Sequence, residues 1–386
     1  MTLTFPVLQE KTIKTSTFSN RYVLAPMSRA SAGADGVPTE NMAEYYAGFA
    51  RGGYGLIITE GAFTDEKWAQ CYSGQPGLVN DAQEMGWQRV VQAIKAEAGK
   101  VILQLIHAGA VSQHIMEPVA PSPVRPAGSM LHGYGHRQGA YDVPDELSLA
   151  QIEIIKRGFY QAALRAEAAG FDGVEIHCAN GYLLDQFLTA ETNLRQDQYG
   201  GTLENRIRLT QEIIREAQGA TKSDFIVGVR LSQAKANIQD YFWPNGLADA
   251  KVIFQAVADA GADFIHLASE KEGYAVHSYT EAGENLTTYA RDLTGLPVVA
   301  NGGLHVVVDA NELIASRKAD FVSIGKTAML NPDLPKRVAE GRELQEFTFD
   351  MFKYGVTIEA QQQWERGAGR LGTHVIGFNP ENSTSC

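Results

Sequence analysis

Eight short apolar segments alternate with longer stretches of helical spacing, and this alternation constrains the fold more than any other feature of the sequence. Aliphatic and β-branched residues dominate the short segments, as is typical of buried parallel strands. The predicted strands lie at residues 22–26, 55–59, 101–106, 173–176, 225–230, 264–267, 297–301 and 321–325. Repeated strand–helix units build a parallel sheet, and eight strands close such a sheet into a barrel. The sequence therefore predicts an α/β protein built as a single (β/α)8 TIM barrel.

Helical spacing between the strands supports this prediction. The predicted helices lie at residues 82–98, 148–169, 203–218, 247–260 and 307–317. Gly170 and Gly261 end two of them, where a left-handed residue is easily tolerated. Because no linker divides the chain, we expect one domain over residues 1–386, with its core at about 6–340 and a helical extension and polar tail at about 341–386.

Two connections between predicted strands have an unusual length or composition, which suggests that they line a functional site. Residues 108–147, after the third strand, contain five prolines and several glycines. Loops of this length are usually functional, so we expect an extended excursion that forms a lid or small hairpin over the barrel mouth. Residues 233–247 include Tyr241, Phe242 and Trp243. These aromatic residues could form a second wall of the site or pack as an ordinary loop, and both interpretations stay open.

Composition argues against several classes of function. The chain has 33 basic and 45 acidic residues and a net charge of −12, with no evident basic patch, so we expect no nucleic-acid partner. Neither an export signal nor an apolar window of about twenty residues occurs, so we expect no membrane span. The three cysteines, Cys71, Cys178 and Cys386, lack the spacing of a zinc or iron–sulfur site. We therefore expect no metal and a cytoplasmic location.

Three polar side chains with catalytic chemistry follow the fourth predicted strand. His177, Asn180 and Tyr182 lie within six positions, at the carboxyl end of a strand, where barrel enzymes place their reactive groups. An imidazole and a carboxamide can hold one substrate oxygen while a phenol beside them delivers a proton. Alternatively, His177 and Asn180 could cap the next helix and Tyr182 could pack in the core. The close spacing of the three residues favours the first interpretation.

The same segment resembles a known family. The sequences HCANGYLLDQFL at 177–188 and DQYGGTLENR at 197–206 closely resemble the old yellow enzymes, a family of flavin-dependent ene-reductases. The resemblance covers about residues 6–334. It implies a tightly bound, non-covalent FMN, NAD(P)H as reductant, and reduction of the C=C bond of electron-poor alkenes that carry a carbonyl or nitro group. His177 and Asn180 would then bind the substrate oxygen, Tyr182 would donate the proton, and phenols would act as inhibitors.

The resemblance also implies which residues bind the cofactor. Ser28 would hydrogen-bond next to the reactive flavin N5, Gln104 would contact the pyrimidine edge, and Arg230 would stabilise the reduced ring. Glycine loops after the last two strands would receive the phosphate. The expected cofactor-binding residues are Ala25, Pro26, Met27, Ser28, Gly61, Gln104, Arg230, Asn301, Gly302, Gly303, Gly325 and Lys326.

Some of these positions have other interpretations. Gln104 could instead bind a neighbouring strand, and Arg230 could pair with a carboxylate such as Glu175. Lys326 stands where the family usually has an arginine, which keeps the charge but loses the bidentate fork. No GxGxxG motif follows a strand, so FMN fits better than FAD. Arg366 belongs to a segment that weakly resembles an element reaching into a partner subunit, although a surface helix fits as well. A homodimer is possible.

Other functions remain open at this level. A dienoyl-CoA reductase relative would need cysteines for an iron–sulfur cluster, and dihydroorotate or tRNA dihydrouridine reductases would not explain the His–Asn–Tyr group. An aldolase or isomerase would need a Schiff-base lysine or catalytic carboxylates at strand ends. A non-catalytic FMN-binding protein would use the same binding groups. The sequence leaves open the physiological alkene, the stereochemistry and the choice between NADH and NADPH.

Overall fold

The computed structural model describes residues 5–135 and 137–369. Thirteen strands occur within these ranges, numbered in chain order, and all eight predicted strands are among them. They are β1 (Lys11–Ile13), β2 (Ser16–Phe18), β3 (Tyr22–Leu24), β4 (Leu56–Ile58), β5 (Ala62–Phe63), β6 (Val101–Ile106), β7 (Val119–Ala120), β8 (Asp145–Glu146), β9 (Gly173–Asn180), β10 (Ile226–Lys235), β11 (Phe264–Leu267), β12 (Val298–Asn301) and β13 (Phe321–Ile324).

Thirteen α-helices occur in the same ranges. They are α1 (Glu40–Arg51), α2 (Asp81–Ala96), α3 (Leu149–Ala169), α4 (Leu183–Leu188), α5 (Leu203–Arg206), α6 (Arg208–Ala220), α7 (Leu247–Asp259), α8 (Tyr274–His277), α9 (Leu286–Thr294), α10 (Val307–Ala315), α11 (Lys326–Leu330), α12 (Leu334–Glu340) and α13 (Ile358–Gly367). Three short 3-10 helices lie at Pro6–Leu8, Gly109–Val111 and Phe349–Phe352. The predicted helix at 203–218 is divided into α5 and α6 at Ile207.

Eight strands form one closed parallel barrel, which confirms the predicted fold. The order around the barrel is β3, β4, β6, β9, β10, β11, β12 and β13, and β13 pairs again with β3. Parallel strands bring their carboxyl ends to one face, so the residues that follow them meet there. The register places Gln104 opposite Glu175, and places Arg230 opposite both His177 and His266.

Local capping explains where α3 begins and ends. The Ser148 side chain accepts a hydrogen bond from the Gln151 backbone, and the Gln151 side chain bonds back to Ser148 as a capping box. Gly170 ends the helix with a φ of +91°, in the left-handed region that glycine adopts easily. The chain then enters β9, which carries the candidate catalytic residues. The sequence therefore specifies both ends of this connection locally.

An N-terminal hairpin closes the opposite end of the barrel. β1 and β2 pair antiparallel and contribute Ile13 and Phe18 to a buried cluster with the first residues of several barrel strands, including Phe264 and Phe321. The Phe18 and Phe321 rings meet edge to face with centroids 5.7 Å apart. The sequence prediction missed this hairpin because its strands are short and largely polar. Because the hairpin closes the amino-terminal end, the carboxyl end of the barrel is the open face.

The long excursion after β6 covers the site but is not a hairpin. Its two ends pair as β7 and β8, which run parallel for only two residues each. Between them, Met130 and Tyr141 pack with Val111 against the Tyr182 ring. Of the two expected forms, a lid or a small hairpin, the excursion therefore takes the first. Prolines at 121, 123 and 126 have no backbone N–H to donate to a longer ladder.

The C-terminal segment returns to the first barrel strand. α13 docks beside β3 through Arg29, whose Nη1 donates to Gln361 Oε1 at 2.7 Å and whose Nε donates to the Val356 carbonyl at 3.1 Å. The predicted polar tail and Cys386 lie outside the described residues. The predicted domain limits stay a prediction.

The described residues contain neither a membrane-spanning helix nor a cluster of metal-ligating side chains. None of the helices there is both long enough and apolar enough to cross a membrane. Within the same part of the chain, no group of three or more His, Cys, Asp or Glu side chains is placed to hold a metal ion.

Candidate active site

The carboxyl end of β9 and the turn after it carry the three candidate catalytic residues. Asn180 and Gly181 both have left-handed backbones, with φ of +62° and +84°. Asparagine and glycine tolerate this conformation best, and a Cβ on Gly181 would lie 2.8 Å from Asn237 Oδ1. The Gly181 N–H donates to Asp185 Oδ2 at 2.7 Å. Tyr182 is the N-cap residue of α4 and no side chain caps that helix, so the alternative in which His177 or Asn180 caps it is wrong.

His177 presents an unpartnered imidazole nitrogen inside the barrel. The residue is 5 % exposed, and its Nδ1 has no hydrogen-bond partner. Burial, followed by the nearby charges of Arg230 and His266, holds the pKa of His177 well below 6.5. The ring is therefore neutral at neutral pH and can donate one hydrogen bond without carrying charge. Its centroid lies 5.0 Å from that of the Tyr182 ring.

Tyr182 is a protonated phenol that contacts a second tyrosine. Its hydroxyl oxygen lies 2.5 Å from that of Tyr72. Burial raises the pKa of Tyr182 well above 10, so the hydroxyl keeps its proton at neutral pH. The Tyr72 ring in turn stacks on the Tyr134 ring, with centroids 4.7 Å apart. Tyr72 and Tyr134 were absent from the sequence prediction because their position depends on how two long loops fold.

Asn180 is held by a carboxylate that the sequence analysis also missed. Its side-chain amide donates a hydrogen bond to Glu270 Oε1, and its backbone N–H donates to Ser232 Oγ at 2.8 Å. Burial raises the pKa of Glu270, although Arg230, Asn180 and Lys326 oppose that shift. One amide hydrogen of Asn180 is thus engaged, and the second remains for a ligand.

A hydrogen-bonded chain crosses five barrel strands beneath these groups. Gln104 Nε2 donates to Glu175 Oε1 at 2.8 Å, and the other Glu175 oxygen lies 2.8 Å from His266 Nδ1. His266 Nε2 lies 2.8 Å from Ser323 Oγ, which accepts from Asn301 Nδ2 at 2.9 Å. Burial alone would raise the pKa of Glu175, but His266, Arg230 and Gln104 together lower it. Glu175 therefore stays ionised and orients Gln104.

Polar residues inside the predicted strands indicate this hydrogen-bonded chain of side chains, although the sequence analysis did not predict it. Glu175, His266 and Ser323 each interrupt an otherwise apolar strand and are completely or almost completely buried. A buried polar residue in a barrel strand needs a partner, and the strand register pairs Gln104 with Glu175 and Asn301 with Ser323.

Arg230 also has an unsatisfied group. It is 8 % exposed, and its Nε has no hydrogen-bond partner. Burial lowers the pKa of Arg230, and the charge of Glu175 opposes this shift. The two residues nevertheless form no ion pair within 4.0 Å in the described structure. The alternative of an Arg230–Glu175 ion pair is therefore not observed. A buried guanidinium without a carboxylate partner suggests that an electron-rich ligand completes its contacts.

The first and last strands of the barrel bring two expected cofactor segments together. The Ala25 N–H donates to the Ile324 carbonyl at 3.0 Å, and a Cβ on Gly325 would lie 3.5 Å from Met27 Sδ. Pro26 and Ser28 are half-buried on the same segment. Glu60, not predicted, fixes the next residues by accepting hydrogen bonds from the backbone N–H groups of Arg29 and Ala30, at 2.9 and 3.1 Å.

The loop after β12, which is expected to receive the phosphate, has a backbone that requires glycine. Gly302 and Gly303 have φ values of +113° and +75°, and a Cβ on Gly302 would lie 2.4 Å from the Tyr274 nitrogen. Lys326 is exposed, and its Nζ lies 5.3 Å from the centre of the Phe349 ring. A Cβ on Gly61 would lie 2.7 Å from Ile106 Cγ2, so protein packing alone also requires glycine there.

The remaining residues from the sequence analysis are the aromatic residues of the 233–247 connection and Arg366. Trp243 packs on Phe254, with ring centroids 5.7 Å apart, as ordinary loop packing. Tyr241 instead lines a cavity of about 270 Å³ between the excursion and α4. Arg366 lies exposed in the last turn of α13.

A (β/α)8 barrel that gathers an unpartnered imidazole, an unpartnered guanidinium and glycine loops at one end has the layout of a flavin oxidoreductase. Residues 9–345 match the model of the NADH:flavin oxidoreductase / NADH oxidase family. The chain belongs to this family and is a flavin oxidoreductase.

Curated relatives agree with this assignment. The chain is 32 % identical over 344 residues to an NADH oxidase of Thermoanaerobacter brockii, an alignment that covers 84 % of this chain and 49 % of that protein. It is 33 % identical over 335 residues to 12-oxophytodienoate reductase 7 of Oryza sativa subsp. japonica, covering 83 % and 84 %. The chain thus spans about half the length of the first relative and most of the second.

Solved structures are similar as well. An old yellow enzyme homologue from Zymomonas mobilis superposes with a TM-score of 0.82 at 32 % identity, covering 93 % of this chain and 99 % of that one. Morphinone reductase in complex with tetrahydroNAD gives 0.79 at 30 % identity, covering 90 % and 93 %. The resemblance to the old yellow enzymes is therefore confirmed.

Proposed function

We propose that this flavin oxidoreductase is an FMN-dependent ene-reductase that uses NAD(P)H to reduce the C=C bond of alkenes bearing a carbonyl or nitro group. The neutral, unpartnered imidazole of His177, beside the protonated phenol of Tyr182, carries the proposal. A nitrogen of this neutral ring would donate to the substrate oxygen, and the phenol would supply the proton that completes the reduction.

The residues fit a tightly bound, non-covalent FMN. The buried guanidinium of Arg230 and the free oxygen of Gln104 suit the polar edge of a flavin, and the positive-φ backbone of Gly302 and Gly303 suits its phosphate. When bound, FMN would supply the hydride, taken from NAD(P)H and given from N5 to the alkene β-carbon. Lys326 would add positive charge near the phosphate.

His177 and Asn180 would polarise the alkene through its oxygen. His177 donates as a neutral imidazole, so its hydrogen bond is kept throughout the neutral pH range. Asn180 donates one amide hydrogen to Glu270, which fixes the plane of the amide, and offers the other to the substrate. Tyr182 would then protonate the α-carbon.

The experiment is a two-part assay on the purified protein with FMN added. We expect the visible absorption of bound oxidised flavin and oxidation of NAD(P)H that depends on cyclohexenone. Protein that stays colourless after FMN is added contradicts the cofactor assignment. Bound FMN without turnover would instead support a non-catalytic flavin-binding protein.

Phenol binding tests the oxygen site separately. We expect phenols to inhibit and to shift the flavin spectrum, and His177→Ala to abolish that shift. His132→Ala removes an exposed histidine and serves as the control. Unchanged phenol affinity in His177→Ala would argue against the oxygen site. A homodimer and the role of Arg366 in it stay predictions, which sedimentation of the purified protein can test.

A further inference from the structure

A buried tyrosine, Tyr72, and a half-buried one, Tyr182, come from distant parts of the chain and share a hydrogen bond at the site. The hydroxyl oxygens of Tyr72 and Tyr182 are 2.5 Å apart although the residues are 110 positions apart in sequence. Tyr72 is 4 % exposed and lies in an apolar cluster with Cys71, Ile106 and Ala108. Neither hydroxyl has another protein hydrogen-bond partner in the described residues.

Proton donation by Tyr182 to the substrate determines which tyrosine is the donor in the Tyr72–Tyr182 hydrogen bond. A phenol has one O–H to donate, so one of the two tyrosines donates and the other accepts. When Tyr182 gives its hydrogen to a substrate carbon, its oxygen must be the acceptor. Tyr72 is then the donor, and its O–H points at the oxygen on which negative charge develops.

No other group near Tyr182 can take this role. The titratable side chains near it are Cys71, Tyr134, Tyr141, His177 and Arg230, the last of which interacts with it through its charge. None of them forms a hydrogen bond with the Tyr182 hydroxyl in the described structure, and His177 Nδ1 has no partner at all. A phenolate on Tyr182 would therefore depend on Tyr72 for hydrogen bonding.

We propose that Tyr72 is a second proton-delivery residue, which stabilises the Tyr182 oxygen and returns a proton to it; this inference rests on the proposed role of Tyr182. In the first step the Tyr182 O–H bond breaks, a C–H bond forms at the α-carbon, and the electron pair stays on the Tyr182 oxygen. In the second step the Tyr72 proton moves to Tyr182. Solvent water then protonates Tyr72, and the hydroxide released is neutralised by bulk buffer.

The test compares Tyr72→Phe, Tyr182→Phe and the double variant in the holoprotein. Rapid mixing measures flavin reduction by NAD(P)H and flavin reoxidation by cyclohexenone as separate rates. We expect Tyr72→Phe to slow reoxidation roughly 10- to 100-fold, the size expected for loss of a hydrogen bond to a charged group. Flavin reduction and phenol affinity should stay unchanged. The double variant should be no slower than Tyr182→Phe alone, because Tyr72 acts only through Tyr182.

Tyr134→Phe is the matched control. It removes a hydroxyl from the ring that stacks on Tyr72 but makes no bond to Tyr182, so it should leave both rates unchanged. Full reoxidation in Tyr72→Phe would overturn the inference while leaving the proposed function intact, and so would additive losses in the double variant. Full reoxidation in Tyr182→Phe would overturn both the proton-donor role of Tyr182 and the relay.

Discussion

Burial decides the protonation state of the main side chains at the site. It keeps His177 neutral and Tyr182 protonated, and it raises the pKa of Glu60 to about 7. The same residue types on a surface would titrate near their ordinary values. Burial thus gives both groups, at neutral pH, the protonation states that the proposed function requires.

Replacing Tyr182 by Phe tests the proton donor directly. We expect alkene reduction to slow by roughly 10²- to 10⁴-fold, since a positioned general acid contributes about that much, while flavin reduction by NAD(P)H is nearly unchanged. Rapid-mixing measurements of each half-reaction check this. Tyr141→Phe, on a ring packed against Tyr182, is the control. An equal loss in both half-reactions would count against the role of Tyr182 as acid.

Glu60 predicts a pH dependence of stability. Its folded pKa of about 7 lies above its ordinary 4.5, because burial outweighs the hydrogen bonds from Arg29, Ala30 and Tyr46. Between these values the folded state binds more protons, so stability is present at low pH and is lost as pH rises toward 7. As pH rises through this range, the free energy of unfolding of the wild type should fall by on the order of 3 kcal/mol relative to that of Glu60→Gln.

Urea unfolding at about pH 5 and pH 8 measures this difference. Glu44→Gln, at a carboxylate whose side chain is 55 % exposed, is the control and should unfold with the wild-type pH profile. Identical profiles for wild type and Glu60→Gln would show that Glu60 does not titrate in this range.

At the scale of elements, helix α13 supports the segment that is expected to line the flavin. Arg29 follows Ser28 directly, is 1 % exposed, and donates to Tyr45, Val356, Thr357 and Gln361. Met27 contacts a cluster that includes Met351. The C-terminal segment therefore fixes the backbone between β3 and α1, and its effect on the cofactor acts through that backbone.

Replacing Arg29 by Met should release this helix. We expect a loss of about 3 kcal/mol in the free energy of unfolding, because buried hydrogen-bond acceptors lose a charged donor. Urea unfolding measures the loss, and limited proteolysis should detect cleavage in α13. Arg366→Met changes an exposed arginine of the same helix and should stay within about 0.5 kcal/mol. Equal stability of the two variants would contradict the docking role of Arg29.

At the scale of the whole molecule, the barrel has a closed end and a reactive end. The β1–β2 hairpin fills the amino-terminal end with Ile13 and Phe18, and the excursion covers the carboxyl end at Tyr182. Between them, the hydrogen-bonded chain from Gln104 to Asn301 joins five strands. Apolar packing at the amino-terminal end and buried hydrogen bonds in the middle of the barrel therefore support the candidate site at the carboxyl end.

The hairpin should contribute to the stability of the whole barrel. Phe18→Ala removes a fully buried ring that contacts Phe321, and we expect a loss of about 3 to 5 kcal/mol. Thr17→Ala, at the exposed neighbouring position, should change stability by less than about 0.5 kcal/mol. Urea unfolding of both variants gives the comparison, and a Phe18→Ala protein as stable as Thr17→Ala would show that the hairpin is dispensable.

The sequence by itself determined the barrel and the location of the reactive residues. Strand periodicity, the number of strands and the turn at Asn180–Gly181 are local properties, and parallel closure brings all carboxyl ends to one face. The family resemblance rested on the same local segments. For these reasons the eight strands and the position of His177, Asn180 and Tyr182 could be predicted without coordinates.

Only the tertiary structure decided which side chains meet. Tyr72 and Tyr182 are 110 positions apart, Asn180 and Glu270 are 90, and Arg29 and Gln361 are 332. These contacts depend on loop paths and strand register, which no local pattern specifies. The same applies to the path of the excursion over the barrel, which its prolines did not define. Local periodicity thus placed the candidate catalytic groups, whereas long-range packing set their hydrogen bonds and their protonation states.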